Sequence, residues 1–443
     1  MITVNNRNEV YLQIDTDAGI LLELNDFFTF TVPGAQFTPQ YRAKLWDGKI
    51  RLLNIFSREL YVGLLPYIQD FCEKNQYQFV DNTTAHYDNI DSLESFIADL
   101  DFQSNGKSIE MRDYQLDAVK TALTRNRTLL LSPTASGKSL IIYTIMRWHQ
   151  AQNRKQLIIV PTTSLVEQLY GDFNDYASTT DWNAADHCAK IYSGKEKITN
   201  NSIYISTWQS IYKMPKSYFE QFDVVYGDEA HLFKSKSLTA ILHKCINATH
   251  RVGTTGTLDG TKTHRLVLEG LFGVVHRVTT TKKLMDTNQL AQLKITCVQL
   301  NYSDEEKKLT KNFSYQEEID WIVTHPKRNK FIRNLVIDRK GNTLVLFQYV
   351  EKHGKVLHDL IVEAAADKRK VFFVHGGIEA EDRENIRAIT ENEGDFIILH
   401  FGKSKIKVPT ASLVPLSNGT KKSANDITLE DDIDDEWLKS YLL

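Results

Sequence analysis

The chain has 443 residues, 42% hydrophobic and 25% charged, with 53 lysines and arginines against 56 aspartates and glutamates for a formal net charge of −3. This excludes a disordered or fibrous chain and gives a prior of about three globular domains, and any nucleic-acid binding must come from a local patch and not from bulk charge. Cys72, Cys188, Cys245 and Cys297 are too far apart for a C-x-x-C or Cys/His zinc spacing, which sets aside a zinc site or a disulfide framework.

The amino terminus carries Glu9 where a signal peptide would hold an apolar core, and no apolar run approaches membrane-spanning length. The protein is therefore expected to act in the cytoplasm where it is made, with no membrane partner. Residues 1–105 read as a small α/β accessory domain. Short alternating segments (Glu9–Asp15, Lys49–Leu53), turn signals at Pro33-Gly34 and Asp47-Gly48, and an apolar helical stretch from Leu60 to Tyr77 carry that reading. Within it, Tyr41, Arg42, Lys44, Trp46, Lys49 and Arg51 interleave cations with aromatics. On a hairpin, Arg42 would share a face with Lys44, and Lys49 with Arg51, which suits a clamp on duplex backbone. A solvated charged face over an aromatic core reads nearly as well from the residues alone. The polar run Gln103–Ser108 reads as a linker.

From Met111 to about Val275 the pattern is apolar strand, turn, helix, repeated, with strands at Thr128–Leu131, Gln156–Val160, Ile203–Ser206, Asp223–Tyr226 and Arg251–Gly253. This predicts a parallel sheet covered on both faces, with ligands at the strand ends. A second unit of the same kind begins near Lys327–Lys330, with strands at Asn342–Phe347, Lys370–Val374 and Asp395–Leu399, and the acidic run Asp426–Glu436 reads as a solvated tail.

Two motifs carry chemistry. Ser132-Pro133-Thr134-Ala135-Ser136-Gly137-Lys138-Ser139 lies between a strand and the helical stretch Leu140–Arg147, the context that a phosphate loop requires, although Ser132 replaces the usual first glycine and Ala135 takes a place often given to glycine. Lys138 would contact the β- and γ-phosphates of ATP and Ser139 would ligate Mg²⁺. Asp228-Glu229-Ala230-His231 follows the apolar run that begins at Phe222. Adjacent carboxylates at a buried strand end are costly without a cation or a catalytic task, so Asp228 is assigned to Mg²⁺ and Glu229 to polarising the hydrolytic water.

With these two motifs, Arg112-Asp-Tyr-Gln115, Ile158–Ser164, Ser206–Ser210 and Gly253–Thr257 occur in the order and approximate spacing of superfamily 2 helicases. The chain most resembles bacteriophage branch-migration helicases of the UvsW type; Gln36–Arg51 and Tyr315–Glu318 share in the similarity, which spans most of residues 1–400. The resemblance implies two RecA-like α/β domains, residues 106–325 and 326–443, behind a DNA-binding domain. It places Arg112, Tyr114 and Gln115 on the adenine side of the nucleotide, with Tyr114 equally readable as a core aromatic, and makes His231 a sensor of the opposing domain. Thr255 and Thr257 become residues that couple hydrolysis to strand separation by bonding the carboxylate motif. Thr162, Thr163, Thr207 and Trp208 become contacts to a DNA strand, Trp208 being read more readily as packing. Single-stranded, duplex and branched DNA are the implied partners.

The resemblance breaks at the carboxyl end. The superfamily's second motor domain carries an arginine pair that reaches the γ-phosphate, preceded by a threonine- and glycine-bearing strand end. Here the last arginine is Arg387, and Lys403–Val408 resembles only the approach to that motif. An altered ending, a substitute cation such as Lys403 or Lys405, or an arginine supplied by a partner are the open explanations. The implied function is ATP-driven remodelling of branched DNA in a phage-infected cell. An RNA helicase, a restriction-type translocase and a DNA-binding protein that uses ATP without hydrolysing it are the alternatives.

Overall fold

The computed structural model describes residues 1–84, 86–233, 236–258, 262–290, 296, 298, 300–366, 368–375, 386, 389–390 and 394–401. The chain divides into two compact units, Met1–Leu293 and Lys294–Leu443.

The first unit opens with β1 (Ile2–Asn6) and β2 (Tyr11–Asp15), followed by β3 (Thr29–Thr31), β4 (Lys49–Arg51), β5 (Glu59–Tyr61) and β6 (Phe79–Asp81). Four of these form one sheet in the order β5-β2-β1-β6, with β1 antiparallel to β2 and parallel to β6. Alternation along β1 and β2 sends Ile2, Val4, Leu12 and Ile14 into a core shared with Leu24, Phe28, Ile68 and Phe71 of the helices beside the sheet. The apolar stretch read as a helix from Leu60 begins instead with β5 and a 3₁₀ turn, and the α-helix is Leu65–Asn75.

The expected hairpin around Asp47-Gly48 is corrected in part. β3 pairs antiparallel with β4, Thr31 opposite Lys49 and Thr29 opposite Arg51. Arg42, however, ends a short helix, Pro39–Arg42, which starts because Thr38 accepts the Tyr41 N–H and Pro39 supplies a preset φ at the first position. Lys44 follows in the left-handed region at φ 55°. Arg42 and Lys44 therefore do not alternate on a strand. Residues 103–108 are likewise no free linker: β7 (Gln103–Ser104) and β8 (Lys107–Ser108) form a hairpin whose turn, Asn105-Gly106, has φ of 50° and 72°. The Asn105 N–H donates to both carboxylate oxygens of Asp175 at 3.0 Å.

Seven strands then build one all-parallel sheet: β9 (Arg127–Leu131), β10 (Gln156–Val160), β11 (Cys188–Ile191), β12 (Ile203–Thr207), β13 (Val224–Asp228), β14 (His250–Thr255) and β15 (Val275–Arg277), in the order β11-β12-β10-β13-β14-β9-β15. Alternate residues feed two cores. Leu130, Ile158, Val160, Tyr226 and Val252 join the core that holds the helices Asp113–Arg125, Lys138–Ala151 and Thr163–Tyr176. Leu129, Leu157, Ile159 and Val225 meet Phe219, Phe233, Ile241 and Phe272 on the other side. A sheet buried on both faces explains why its central strands read as continuous apolar runs.

The amino-terminal domain is welded to this sheet. Leu266, from the helix Lys262–Phe272, enters the amino-terminal core. Tyr61 Oη lies 3.1 Å from His243 Nε2, Tyr67 donates to Glu269 at 2.5 Å, and Glu9 pairs with Arg127. Backbones approach so closely that a Cβ on Gly63 would lie 2.0 Å from the Glu269 carbonyl oxygen. Only glycine fits there.

The second unit has helices Asp304–Thr310, Tyr315–Thr324 and Pro326–Asp338, the first two opened by capping boxes in which Ser303 pairs with Glu306 and Ser314 with Glu317. Its parallel sheet, β16 (Thr343–Phe347), β17 (Val371–Val374) and β18 (Ile397–Phe401), runs β16-β18-β17 and packs Phe347, Ile397 and Leu399 on Val336, Leu357 and Ile361. Arg387, Lys403–Val408 and Asp426–Glu436 lie outside the described residues. Among the described residues no helix is long and apolar enough to cross a membrane.

Candidate nucleotide site and nucleic-acid surface

The phosphate-loop candidate leaves β9 with its backbone still joined to the sheet, the Ser132 N–H donating to the Thr255 carbonyl at 2.8 Å. Ser132, the residue that replaces the usual glycine, is fully buried and braces the loop from within, its Oγ 2.6 Å from Ser136 Oγ, which in turn donates to the Pro133 carbonyl at 2.5 Å. Thr134 and Ala135 form the exposed tip. Ala135 at φ 65° and Gly137 at φ 80° turn the chain so that the helix Lys138–Ala151 starts directly under the loop. Its free N–H groups and dipole favour an anion.

Gln115 holds the loop from outside. Its Oε1 accepts the Arg112 N–H at 2.8 Å and its Nε2 donates to the Ser136 carbonyl at 2.9 Å. Arg112 also donates to the Tyr114 hydroxyl at 2.7 Å, and Tyr114 packs half-buried against the core.

Asp228 ends β13 and is nearly buried, in register with Thr254 of β14, whose hydroxyl donates to Asp228 Oδ1 at 2.7 Å. Burial pushes the Asp228 carboxyl above the usual carboxylate range, opposed by the Thr254 hydrogen bond and the Lys138 charge. Glu229 sits in the left-handed region at φ 51°, a conformation that turns its side chain off the strand. Lys138 Nζ donates to Glu229 Oε1 at 2.9 Å, and Glu229 Oε2 lies 3.2 Å from His231 Nδ1. That same His231 nitrogen is 3.1 Å from Thr255 Oγ1. The hydroxyl on the Asp228 carboxylate is thus Thr254's, whereas Thr255 reaches the histidine of the motif, donates to the Thr257 carbonyl at 3.0 Å, and stands 3.4 Å from the Thr257 N–H.

Ser139 turns its hydroxyl towards the helix Thr163–Tyr176, 2.7 Å from the Tyr176 hydroxyl, on the side of Asp172, whose carboxyl is raised by burial and lowered by the serine. A lysine under a loop of positive φ suits phosphates, and a buried carboxylate with a serine hydroxyl is a hard-oxygen donor set that suits Mg²⁺.

The residues expected on nucleic acid differ in what they leave free. Thr162 and Thr163 are exposed at the start of their helix, where the Thr162 Oγ1 accepts the Leu165 N–H at 3.3 Å. Thr207 is buried, its hydroxyl 2.8 Å from Ser210 Oγ. Trp208 packs against the core, 5.9 Å from the Tyr212 ring. In the amino-terminal domain Lys49 and Arg51 share the exposed face of β4, Arg42 and Lys44 are exposed beside it, and Trp46 donates to the Lys49 carbonyl at 2.8 Å. Arg51 is paired to Asp47 at 2.5 Å. Thr254, Asp172 and Tyr176 are the residues that sequence reasoning missed; Thr254 alone stood inside a motif already singled out.

Comparison with known proteins gives the family. Residues 2–81 match the family model described as DNA helicase UvsW, N-terminal, and residues 108–260 match that of the type III restriction enzyme, res subunit. The chain is 34% identical over 436 residues to the ATP-dependent DNA helicase uvsW of Enterobacteria phage T4, covering 95% of this chain and 85% of that one. A crystal structure of T4 UvsW superposes with a TM-score of 0.58 at 33% identity over 90% of this chain and 80% of its own. A second structure of the UvsW helicase from bacteriophage T4 gives 0.57 at 33% identity over 62% of this chain and 99% of its own. The chain belongs to the UvsW family of DNA helicases.

Proposed function

We propose that this helicase couples hydrolysis of Mg²⁺-bound ATP to movement on branched DNA, remodelling replication or recombination intermediates by branch migration. Residues 1–105 would grip duplex through Arg42, Lys44, Trp46, Lys49 and Arg51. Residues 106–325 would bind nucleotide and, at the exposed Thr162 and Thr163, the tracked strand, with buried Thr207 supporting that surface from below, and residues 326–443 would form the second motor domain. The observation that carries the reading is the Lys138–Glu229 contact at 2.9 Å beside buried Asp228. A γ-phosphate competing for Lys138 would release Glu229 to polarise water, while Asp228 and Ser139 would hold the Mg²⁺ that neutralises charge on the phosphates. Arg112, Tyr114 and Gln115 would face the adenine, and Thr255, Thr257 and His231 would transmit the state of the carboxylates.

The test is steady-state ATP hydrolysis with and without a four-way DNA junction, in the native chain and in Glu229→Gln. The expected result is junction-stimulated turnover that falls at least about a hundredfold in the variant, the scale of a lost general base. Stimulation by RNA and not by DNA would move the substrate class. Junction binding without turnover would leave ATP as a conformational ligand only.

A further inference from the structure

The helix Thr163–Tyr176 touches more of the machine than its place in the sheet requires. Its first turn carries Thr162 and Thr163, exposed. Its last turns carry Asp172, Asp175 and Tyr176. Asp175 anchors the 103–108 hairpin through Asn105, and just beyond the helix Thr179 donates to Asp101 at 2.8 Å. Tyr176 reaches Ser139 with its hydroxyl while its ring packs on Tyr143, centroids 5.4 Å apart. Asp172, half-buried, stands beside the same serine, its carboxyl raised by burial and lowered by the serine hydroxyl.

A serine hydroxyl has one proton and two lone pairs. Either hydroxyl can donate in the Tyr176 contact; when Ser139 turns its proton to Asp172, Tyr176 is the donor and one Ser139 lone pair is left for a cation. An acceptor on the ligand's proton makes the oxygen a better donor to a cation. Fourteen residues of helix span about 20 Å, and such a rod moves as one piece.

We propose that Tyr176 and Asp172 are positioning residues that hold the Ser139 hydroxyl as a magnesium ligand, and that their helix links the Thr162–Thr163 end to the metal position. The inference rests on the proposed assignment of Ser139 to Mg²⁺.

The test is the affinity of the full chain for a fluorescent ATP analogue, titrated from EDTA through rising Mg²⁺, in the native protein and in Tyr176→Phe, Asp172→Asn and Ser139→Ala. Tyr176→Phe keeps the ring on Tyr143, and equal binding in EDTA certifies an intact site. Both positioning variants should need about tenfold or more Mg²⁺ for half-maximal tightening, the usual scale for losing a partner of a metal ligand. A native Mg²⁺ response in both, with Ser139→Ala defective, overturns the proposal and leaves the Ser139 assignment standing. A native response in Ser139→Ala removes that assignment, and the proposal with it. Adding the four-way junction should move the Mg²⁺ midpoint in the native chain and not in Tyr176→Phe; an equal shift in both, or in neither, removes the helix as the link.

Discussion

Gly137 is held by two constraints at once, a φ of 80° and the Gln115 side chain, whose Nε2 would lie 2.2 Å from any Cβ placed there. Gly137→Ala therefore carries a left-handed cost of about 1–2 kcal/mol and pushes Gln115 off the Ser136 carbonyl. ATP affinity should fall about tenfold or more while the melting temperature stays close to native; fluorescent-nucleotide titration and thermal unfolding measure the two. The places of Asp228 and Glu229 at the end of a strand, and of Lys138 at the start of a helix, were legible because local spacing fixes them. Thr254 was not, since its contact with Asp228 depends on the register of two strands 26 residues apart in sequence. Tyr176 was further from reach, because nothing local tells a tyrosine that its hydroxyl meets a serine 37 residues away.

The same limit operates on elements. Central strands β10, β12 and β13 announce themselves as apolar runs, whereas the edge strands β11, with Lys190, and β15, Val275-His-Arg277, are short and polar enough to pass as loop. Around Asp47, alternation of cations and aromatics suggested one long hairpin, but Thr38 and Pro39 cap a helical turn that removes Arg42 from the strand. The exposed cations nonetheless stand close in sequence, Lys44 before the turn and Lys49 and Arg51 on β4. Lys44→Ala combined with Lys49→Ala and Arg51→Ala should weaken duplex binding and flatten its salt dependence by about 0.9 in log–log slope for each phosphate no longer neutralised. Binding measured across a salt series checks this, and an unchanged slope would place the duplex elsewhere. Arg51, already paired with Asp47, should contribute least of the three.

Across the whole first unit, Asp88 ties the segment after β6 to the central sheet. Arg154 clasps it with hydrogen bonds of 2.6 and 2.7 Å, Trp148 donates at 3.1 Å, and His149 and His250 close the cluster, so the guanidinium stands where a metal would otherwise be drawn. Burial holds His149 well below its ordinary 6.5 and lowers His250 as well; His243, at the contact with Tyr61, is pushed by burial down to about 4. Each is neutral when folded, and the unfolded chain takes up protons near 6.5, so the native state loses stability as pH falls below that value and, for His243, until about 4. Melting temperature should drop between pH 7.5 and pH 5, less steeply in His149→Gln; an equal slope in that variant would remove His149 from the account. The wedge of Gly63 against Glu269 and the Tyr61–His243 contact have a mechanical meaning too. They join β5 and the turn after it directly to the helices that cover the sheet whose rim holds Asp228. A load placed on the amino-terminal domain would pass through these contacts to the sheet that carries Asp228 with no linker between them, so that the domain would serve as a fixed handle.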